Sequence, residues 1–524
     1  MIQYLKHPVT VIGITYLILL ISSSLVQHYF PAFESVNRYQ KVINVDIEPS
    51  VSIPLVIYEL GDPENSENLP LILFSDVYYG TDFLLPLAEK LSKNYRVILP
   101  VYSEIIEPEN NFYDHSINSK VRIATHLLSA LNIDNAHIAG QGYGGAIAIK
   151  FAGQNNEVTR SLTLLSGIGV QELNYLGNYT LNKLLFSTLP PLIWCIENLF
   201  PHFGWYYNQP VQSYFAKSLV ELDLREHRDI LKELKIPVKL MHSSDDRYVP
   251  VQMSNEHYRI MPHSSISIID GFHKSIFEKP DNWAGILIGF LNNVESGSAK
   301  KISEADNNRI ANAKEPFDSS EVVRFTGWIH FFILILVAFS SIINEDIAGI
   351  SGGLLAARGL IGFWDALFAC MAGVIIFDIV IYWIGRLLGS KVIRKIPFKW
   401  FLKEEDIQRA EKLFDARGLE ILFAAKFIPG TRFPTYFSAG MLRNHFFYFL
   451  VYFVSSVILW APIVVGLSMI AGQTILTFFQ NYQDYFAIIA VAGGVLIYLF
   501  IKFLLPVLTV KGRRKLAEKF EKKI

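Results

Sequence analysis

The chain has 524 residues, enough for two or three domains, with 51% hydrophobic and 18% charged side chains and a formal net charge of -1. That balance is the profile of a membrane protein with a sizeable soluble part. No basic stripe with interleaved aromatics occurs in the soluble part, so nucleic acid is not an expected partner. The two cysteines, Cys195 and Cys370, are too few and too far apart for a disulfide framework.

Val9–Val26 is an apolar run just long enough to cross a bilayer. No Ala-x-Ala-like site follows it, and Gln27-His28-Tyr29 is a poor cleavage context, which favours an uncleaved anchor over a signal peptide. Residues 45–296 alternate short β-rich runs with amphipathic helical stretches. The expected strands are Leu71–Phe74, Tyr95–Leu99, Ala136–Ala139, Ser161–Leu165, Val238–His242 and Ser265–Ile269, spaced as in a parallel sheet with crossover helices. Between Asn174 and Tyr207 lies a bulky apolar insert with Leu189-Pro190-Pro191 and Trp194, read as a cap that touches the membrane. Residues 297–325 are polar, of mixed charge, and read as a linker.

A membrane half follows, over residues 326–510. Thr326–Ile343, Phe363–Ile384, Phe447–Ile470 and Phe486–Leu505 are the expected spans. Ile347–Leu360 is apolar but short and glycine-rich. Leu419–Gly440 is apolar yet carries Lys426 and Arg432, with Pro429-Gly430 between them. A cation in the hydrocarbon core costs about 2.5–3.5 kcal/mol on insertion scales. Broken backbone at that depth is tolerated only against protein or a water-filled cavity. Such a segment reads as part of a transport site. Two broken segments in matching places point to re-entrant helices around a midplane site. Lys/Arg excess in the 391–417 loop and in the 511–524 tail places both in the cytoplasm, and the soluble domain with them. The charges flanking the first span leave the opposite, periplasmic side open.

Ala139-Gly140-Gln141-Gly142-Tyr143-Gly144-Gly145, between an apolar strand and a helix, has the spacing of a G-x-S-x-G nucleophile elbow. Asp246 precedes x-x-Val-Pro, and Asp270-Gly271-Phe272-His273 follows the last expected strand. In this order the three motifs resemble the α/β-hydrolase family over about 230 residues. The resemblance implies Asp246 as acid and His273 as base, with Gly142 where the nucleophile belongs. Glycine cannot form an acyl-enzyme. Ser75-Asp76 replaces the family's usual His-Gly and would bring a carboxylate towards a developing oxyanion, against the charge stabilisation that the chemistry needs. Val101 stands where the family has an Asp. The expectation is a non-catalytic domain that binds a ligand or partner. Serine-independent chemistry with His273 as base, and esterase activity through Ser75 or Ser166, are the alternatives.

Residues 344–460 resemble the DedA family, also called the VTT or SNARE-associated domain. The matching pieces are Glu345-Asp346, then Gly352-Gly353 through Gly359, Phe377-Asp378 with Tyr382 and Gly385-Arg386, Lys426-Phe427-Ile428-Pro429-Gly430-Thr431-Arg432, and Ala439-Gly440-Met441. Lys426 stands for the family's usual arginine, which keeps the charge and loses the planar fork. The resemblance implies movement of a phospholipid or polyprenyl-phosphate headgroup across the membrane. Lys426 and Arg432 would hold the phosphate. Glu345, Asp346 and Asp378 would exchange protons. Gly352, Gly353 and Gly440 would let backbone approach the headgroup. The bland reading makes Asp378 a packing partner of Arg432 or Lys426, and Asp365 a helix cap.

The expected fold class is an α/β-hydrolase-like soluble domain joined to an all-α polytopic membrane domain in a bacterial inner membrane. The expected partners are a membrane lipid and protons, with no cofactor and no metal signature; a homo-oligomer is left open. A membrane-tethered lipid hydrolase and a non-transporting scaffold are the competing functions.

Overall fold

The computed structural model describes residues 8–29, 38–48, 51–62, 68–105, 113–208, 212–317, 327–342, 344–388, 412, 414, 420–426, 432–442 and 445–482. The chain divides into two compact units, Met1–Ile329 and His330–Ile524.

The first unit is built on one eight-stranded sheet. Its strands are β1 (Gln40–Glu48), β2 (Val51–Leu60), β3 (Leu71–Phe74), β4 (Val97–Pro100), β5 (Ala136–Gln141), β6 (Thr159–Leu165), β7 (Val238–Ser243) and β8 (Ser265–Ile269). They lie in the order β1-β2-β4-β3-β5-β6-β7-β8. β2 is antiparallel to both β1 and β4, and every other pairing is parallel. This order, with helices on both faces, is the α/β-hydrolase fold. The central strands are buried on both faces, and alternate residues serve opposite cores. Ile72, Phe74, Ile98, Ile138 and Leu164 pack with Val121, Ile147 and Phe151 on one side. Leu71, Leu73, Val97, Ala139 and Leu165 pack with Leu87, Trp283 and Leu287 on the other.

Three helices, Tyr179–Phe186, Leu189–Leu199 and Ser213–Val220, form a cap between β6 and β7 around Ile193, Tyr206 and Ala216. Part of the expected linker is docked on this unit. The Asn307–Asn312 helix sends Arg309 over the Tyr258 ring at 3.6 Å, where it donates to the carbonyls of Tyr258, Met261 and Ser264.

The second unit holds the Gly327–Ser340 helix from His330 on, and the helices Glu345–Ala357, Phe363–Leu388, Glu420–Ala425, Arg432–Met441 and Phe446–Tyr482. Phe363–Leu387 and Phe446–Gly472 are long and apolar enough to cross a membrane. Glu345–Ala357 has 13 residues. At 1.5 Å per residue it reaches about 20 Å, short of the roughly 30 Å of a hydrocarbon core. One described helix ends at Ala425, with Lys426 in a turn, and the next begins at Arg432. Pro429, Gly430, most of the basic 391–417 loop, the expected 486–505 span and the 511–524 tail lie outside the described residues. Small residues let these helices meet backbone to backbone. A Cβ on Gly440 would lie 2.0 Å from the Tyr382 carbonyl oxygen, and one on Gly385 2.2 Å from that of Phe437. A Cβ on Gly353 would lie 2.6 Å from the Val465 carbonyl oxygen.

Candidate functional sites

In the first unit β5 ends in the tight turn that the Gly140–Gly145 spacing announces. Gly142 has φ +55° and ψ -121°, a conformation that side-chain-bearing residues rarely adopt. A Cβ on Gly144 would lie 2.2 Å from the Phe74 carbonyl oxygen, and one on Gly145 2.6 Å from the Gly167 Cα. The elbow is therefore intact in backbone and lacks only its nucleophile.

The loops after β7 and β8 bring the acid and base together. Asp246 Oδ2 lies 2.6 Å from His273 Nδ1, and Asp246 Oδ1 accepts the backbone N–H groups of Tyr248 and Val249 at 2.9 Å. Burial alone would raise the Asp246 carboxyl, but the bond and charge of His273, with His242 and the Val249 N–H, outweigh it and hold the pKa below the ordinary value. Burial works against a charged His273, yet the Asp246 bond and the charges of Asp246 and Asp76 raise it above the ordinary imidazole value.

Two side chains occupy what the missing serine would use. Asp76 Oδ2 accepts the Tyr143 N–H at 2.7 Å, and Asp76 Oδ1 accepts the Tyr78 N–H at 2.6 Å. The N–H after the nucleophile is the donor that an acyl intermediate needs. A Cβ placed on Gly142 would stand 2.0 Å from Asp76 Oδ2. The Asp76 carboxylate thus sits in the nucleophile's space as well as on its oxyanion donor. Burial raises its pKa, against the His273 charge and the N–H groups that lower it. Gln141 is the second occupant. Its Oε1 accepts the Asp76 N–H at 3.2 Å, and its Nε2 lies 2.7 Å from His273 Nε2. In the neutral imidazole, with its Nδ1 proton directed to Asp246, the Gln141 amide donates to the lone pair that a general base would use; in the charged form two donors face each other there. The alternative nucleophiles are bonded elsewhere. Ser75 Oγ is 3.0 Å from Thr81 Oγ1, and Ser166 Oγ accepts the Ser243 N–H at 3.4 Å. The sequence flagged Asp76 as an obstacle; it gave no sign that Gln141 would reach His273.

In the second unit four ionisable residues from four helical segments converge. Glu345 begins its helix, Asp378 lies mid-helix, Lys426 follows the Glu420–Ala425 helix, and Arg432 begins the next. Arg432 Nη1 lies 2.9 Å from Glu345 Oε2, and Arg432 Nε donates to Asp378 Oδ1 at 2.8 Å. Lys426 Nζ is paired with Glu345 and stands 4.0 Å from Asp378 Oδ2. Asp378, Lys426 and Glu345 are all buried. Asp378 Oδ2 has no hydrogen-bond partner among the described residues. Lys426 Nζ also stands 4.4 Å over the Trp460 ring. Trp460 is a member the sequence reading missed.

Other sequence candidates are placed differently. Asp346 is exposed, one helical step round from Glu345, and is not among the quartet. Gly353 and Gly440, expected to admit a headgroup, have their open side filled by neighbouring helix backbone; Gly352 makes ordinary contact with Ala366. Asp365 accepts the Gly362 N–H at 3.1 Å at the start of its helix, as a cap does.

Among known proteins, the VTT domain matches residues 349–469. Undecaprenyl phosphate transporter A of Bacillus subtilis is 34% identical over 132 residues, 25% of this chain and 67% of that protein. RutD of Azorhizobium caulinodans, named as a carbamate hydrolase, is 25% identical over 250 residues, 43% of this chain and 92% of its own length. A lipase structure from Acinetobacter baumannii is 21% identical, with 53% of this chain and 97% of that one covered, at a TM-score of 0.40.

Proposed function

The chain belongs to the VTT-domain family, and from that premise we propose that its membrane unit moves a phosphate-bearing lipid headgroup across the bilayer by proton-linked re-pairing of the Glu345–Asp378–Lys426–Arg432 quartet. The observation that carries the reading is the charge balance of the quartet: two cations and two carboxylates, each cation within 4.0 Å of both carboxylates. Buried ions are tolerated when paired, and an uncompensated buried charge costs several kcal/mol. An arriving phosphate adds negative charge. It can take Arg432 and Lys426 only if a carboxylate gives them up, and protonating Glu345 or Asp378 does this without leaving a net charge behind. Arg432 offers a planar fork to the phosphate, Lys426 a point charge. Deprotonation would restore the carboxylate pairing and expel the headgroup.

In this reading the segments 345–357 and 420–441 are re-entrant, the membrane is a bacterial inner membrane, and the soluble domain is cytoplasmic. That domain binds a ligand or partner without hydrolysing it. What supports this is that its oxyanion donor is held by Asp76 and its base by Gln141.

The test is reconstitution of the full chain in vesicles with fluorescent phospholipid or undecaprenyl phosphate on one leaflet. Transport is expected to rise with an imposed proton gradient. Glu345→Gln, which leaves the cations short of one carboxylate, is expected to bind phosphate-bearing lipid but lose the response to the gradient. Flux no faster than in protein-free vesicles, for both lipids, would discard the reading.

A further inference from the structure

The first unit carries an apolar surface that neither its sheet nor its dyad explains. The cap helix Leu189–Leu199 and the turn after it expose Leu192, Trp194, Leu199, Phe200, Phe203 and Trp205. A contiguous patch of this kind on a soluble face marks a docking surface. The anchor helix Pro8–Tyr29 shows what it meets. That helix has 22 residues and no Asp, Glu, Lys or Arg, so it is about 33 Å long, the length of a bilayer's hydrocarbon core. Most of its described side chains are exposed, but Ser23 is buried. Ser23 Oγ accepts the Phe203 N–H at 2.8 Å, and the Tyr16 hydroxyl donates to the Leu199 carbonyl.

These two bonds set a depth. Tyr29 is the end nearer the soluble domain, since the chain resumes in β1 at Gln40. Ser23 lies six residues and Tyr16 thirteen residues before it, which places them about 9 Å and 20 Å along the span from that end. If residues 8–29 span the bilayer, residues 199–203 are held at those levels, below the plane at which the span leaves the hydrocarbon. Their backbone is equipped for it, because polar groups in lipid must be paired within the protein. The His202 N–H donates to the Phe200 carbonyl and the Trp205 N–H to that of His202, both at 2.9 Å. Between Leu189 and Trp205 the only ionisable side chains are those of Cys195, Glu197, which is half-buried, and His202, which is buried. Trp194 and Trp205 are of the type that settles at membrane interfaces.

We propose that the cap segment 189–205 inserts among the acyl chains of the leaflet on the soluble domain's side, beside the anchor helix. The hydrolase-like domain is then held on the bilayer by two elements, with its cap in lipid. The inference rests on residues 8–29 being a span, and the experiment separates the two. In the full chain with Cys370→Ser, the exposed Cys195 of the cap helix is the sole cysteine and takes a nitroxide label. Two comparison labels, on Cys195→Ser backgrounds, sit at Ile18→Cys in the anchor and Lys232→Cys on the domain. The protein is placed in vesicles of phosphatidylethanolamine and phosphatidylglycerol, and collisions with oxygen and with a water-soluble nickel chelate are read by power saturation. Cys195 is expected to resemble Ile18, with oxygen collisions exceeding nickel collisions several-fold more than at Lys232. Cys195 behaving like Lys232, while Ile18 remains in lipid, overturns the inserted cap and leaves the span standing. Cys195 shielded from both reagents also overturns it, in favour of a protein or a second copy covering the face. An aqueous Ile18 removes the span and the inference together.

Discussion

In the first unit Asp246 and His273 point at a glycine, whereas in the second Glu345, Asp378, Lys426 and Arg432 point at one another. The dyad keeps its 2.6 Å contact, but each group it would work with is already bonded, Tyr143 N–H to Asp76 and His273 Nε2 to Gln141. The quartet is paired by groups of opposite charge, with one oxygen, Asp378 Oδ2, left without a hydrogen bond among the described residues. One arrangement is closed by side chains that have no reason to leave. The other is closed by ion pairs, which the proposed function makes exchangeable by protonation. Buried polarity is common to both, and in the proposed mechanism only the second is reset by a proton.

The sharpest way to break this comparison is to remove a cation from the quartet. Arg432→Ala leaves Asp378 and Glu345 without their 2.8 Å and 2.9 Å partners. Stranding a buried charge costs about 3–5 kcal/mol, so a large loss of thermal stability in detergent is expected together with loss of lipid flux. The double variant Arg432→Ala with Asp378→Asn restores charge balance. It is expected to recover much of the stability and none of the flux. Recovered flux would mean that Arg432 does not hold the headgroup.

Restoring the serine tests the other half. Gly142→Ser puts a side chain at φ +55° and against Asp76, with a backbone cost of about 1–3 kcal/mol before the clash is counted. No labelling by a fluorophosphonate probe is expected. Adding Asp76→Gly removes the clash and is expected to raise the melting temperature above that of the single variant. Labelling is expected only when Gln141→Ala also frees His273. Strong labelling of the single variant would show that Asp76 and Gln141 do not hold the site shut.

Much of both sites was legible because the signals are local. The x-x-Val-Pro sequence after Asp246, the glycine spacing around Gly142, and two cations in an otherwise apolar segment each survive without a structure. What escaped depends on tertiary register. Glu345 and Asp346 are adjacent and chemically alike, and only the packing of their helix decides which one faces Lys426. Trp460 is one of many aromatic residues in the spans, and its place over Lys426 follows from where the Phe446–Tyr482 helix crosses. Gln141 is an ordinary strand-end residue until the β8 loop brings His273 to it. The β1–β2 hairpin was missed although it alternates, with Val45 and Ile47 buried and Asn44, Asp46 and Glu48 exposed on the edge strand β1.

A smaller effect follows from the dyad's protonation. The Asp246 carboxyl lies below its ordinary pKa, so its contribution is present above the unfolded value of about 3.9 and lost as pH falls through the folded one. His273 lies above its ordinary value. Its ionic contribution is full below the unfolded value of about 6.5 and fades as pH rises through the folded one. The charged pair, faced also by Asp76 and His242, therefore works hardest between these limits. Asp246→Asn is expected to lower the first unit's melting temperature more at pH 5.5 than at pH 8.5. Equal losses at the two values would mean that the dyad contributes only through its neutral hydrogen bond.

The smallest predicted change concerns Trp460 and bears directly on why a lysine serves at position 426. An ammonium group has no planar fork, so it cannot be held in orientation by a bidentate carboxylate. The Trp460 face at 4.4 Å gives Lys426 Nζ a neutral, attractive contact that competes with neither carboxylate. A desolvated contact of this kind contributes about 2 kcal/mol. Trp460→Leu keeps the apolar character and removes the ring face. It is expected to weaken binding of a phosphate-bearing lipid by at most the roughly thirtyfold that this energy allows, and to leave the Arg432 pairs in place. Lys426→Arg in the Trp460→Leu background brings back the fork and is expected to regain part of that loss. If instead Trp460→Leu were as damaging as Arg432→Ala, the quartet would be a quintet, and the reading that charge re-pairing alone governs the site would have to be replaced.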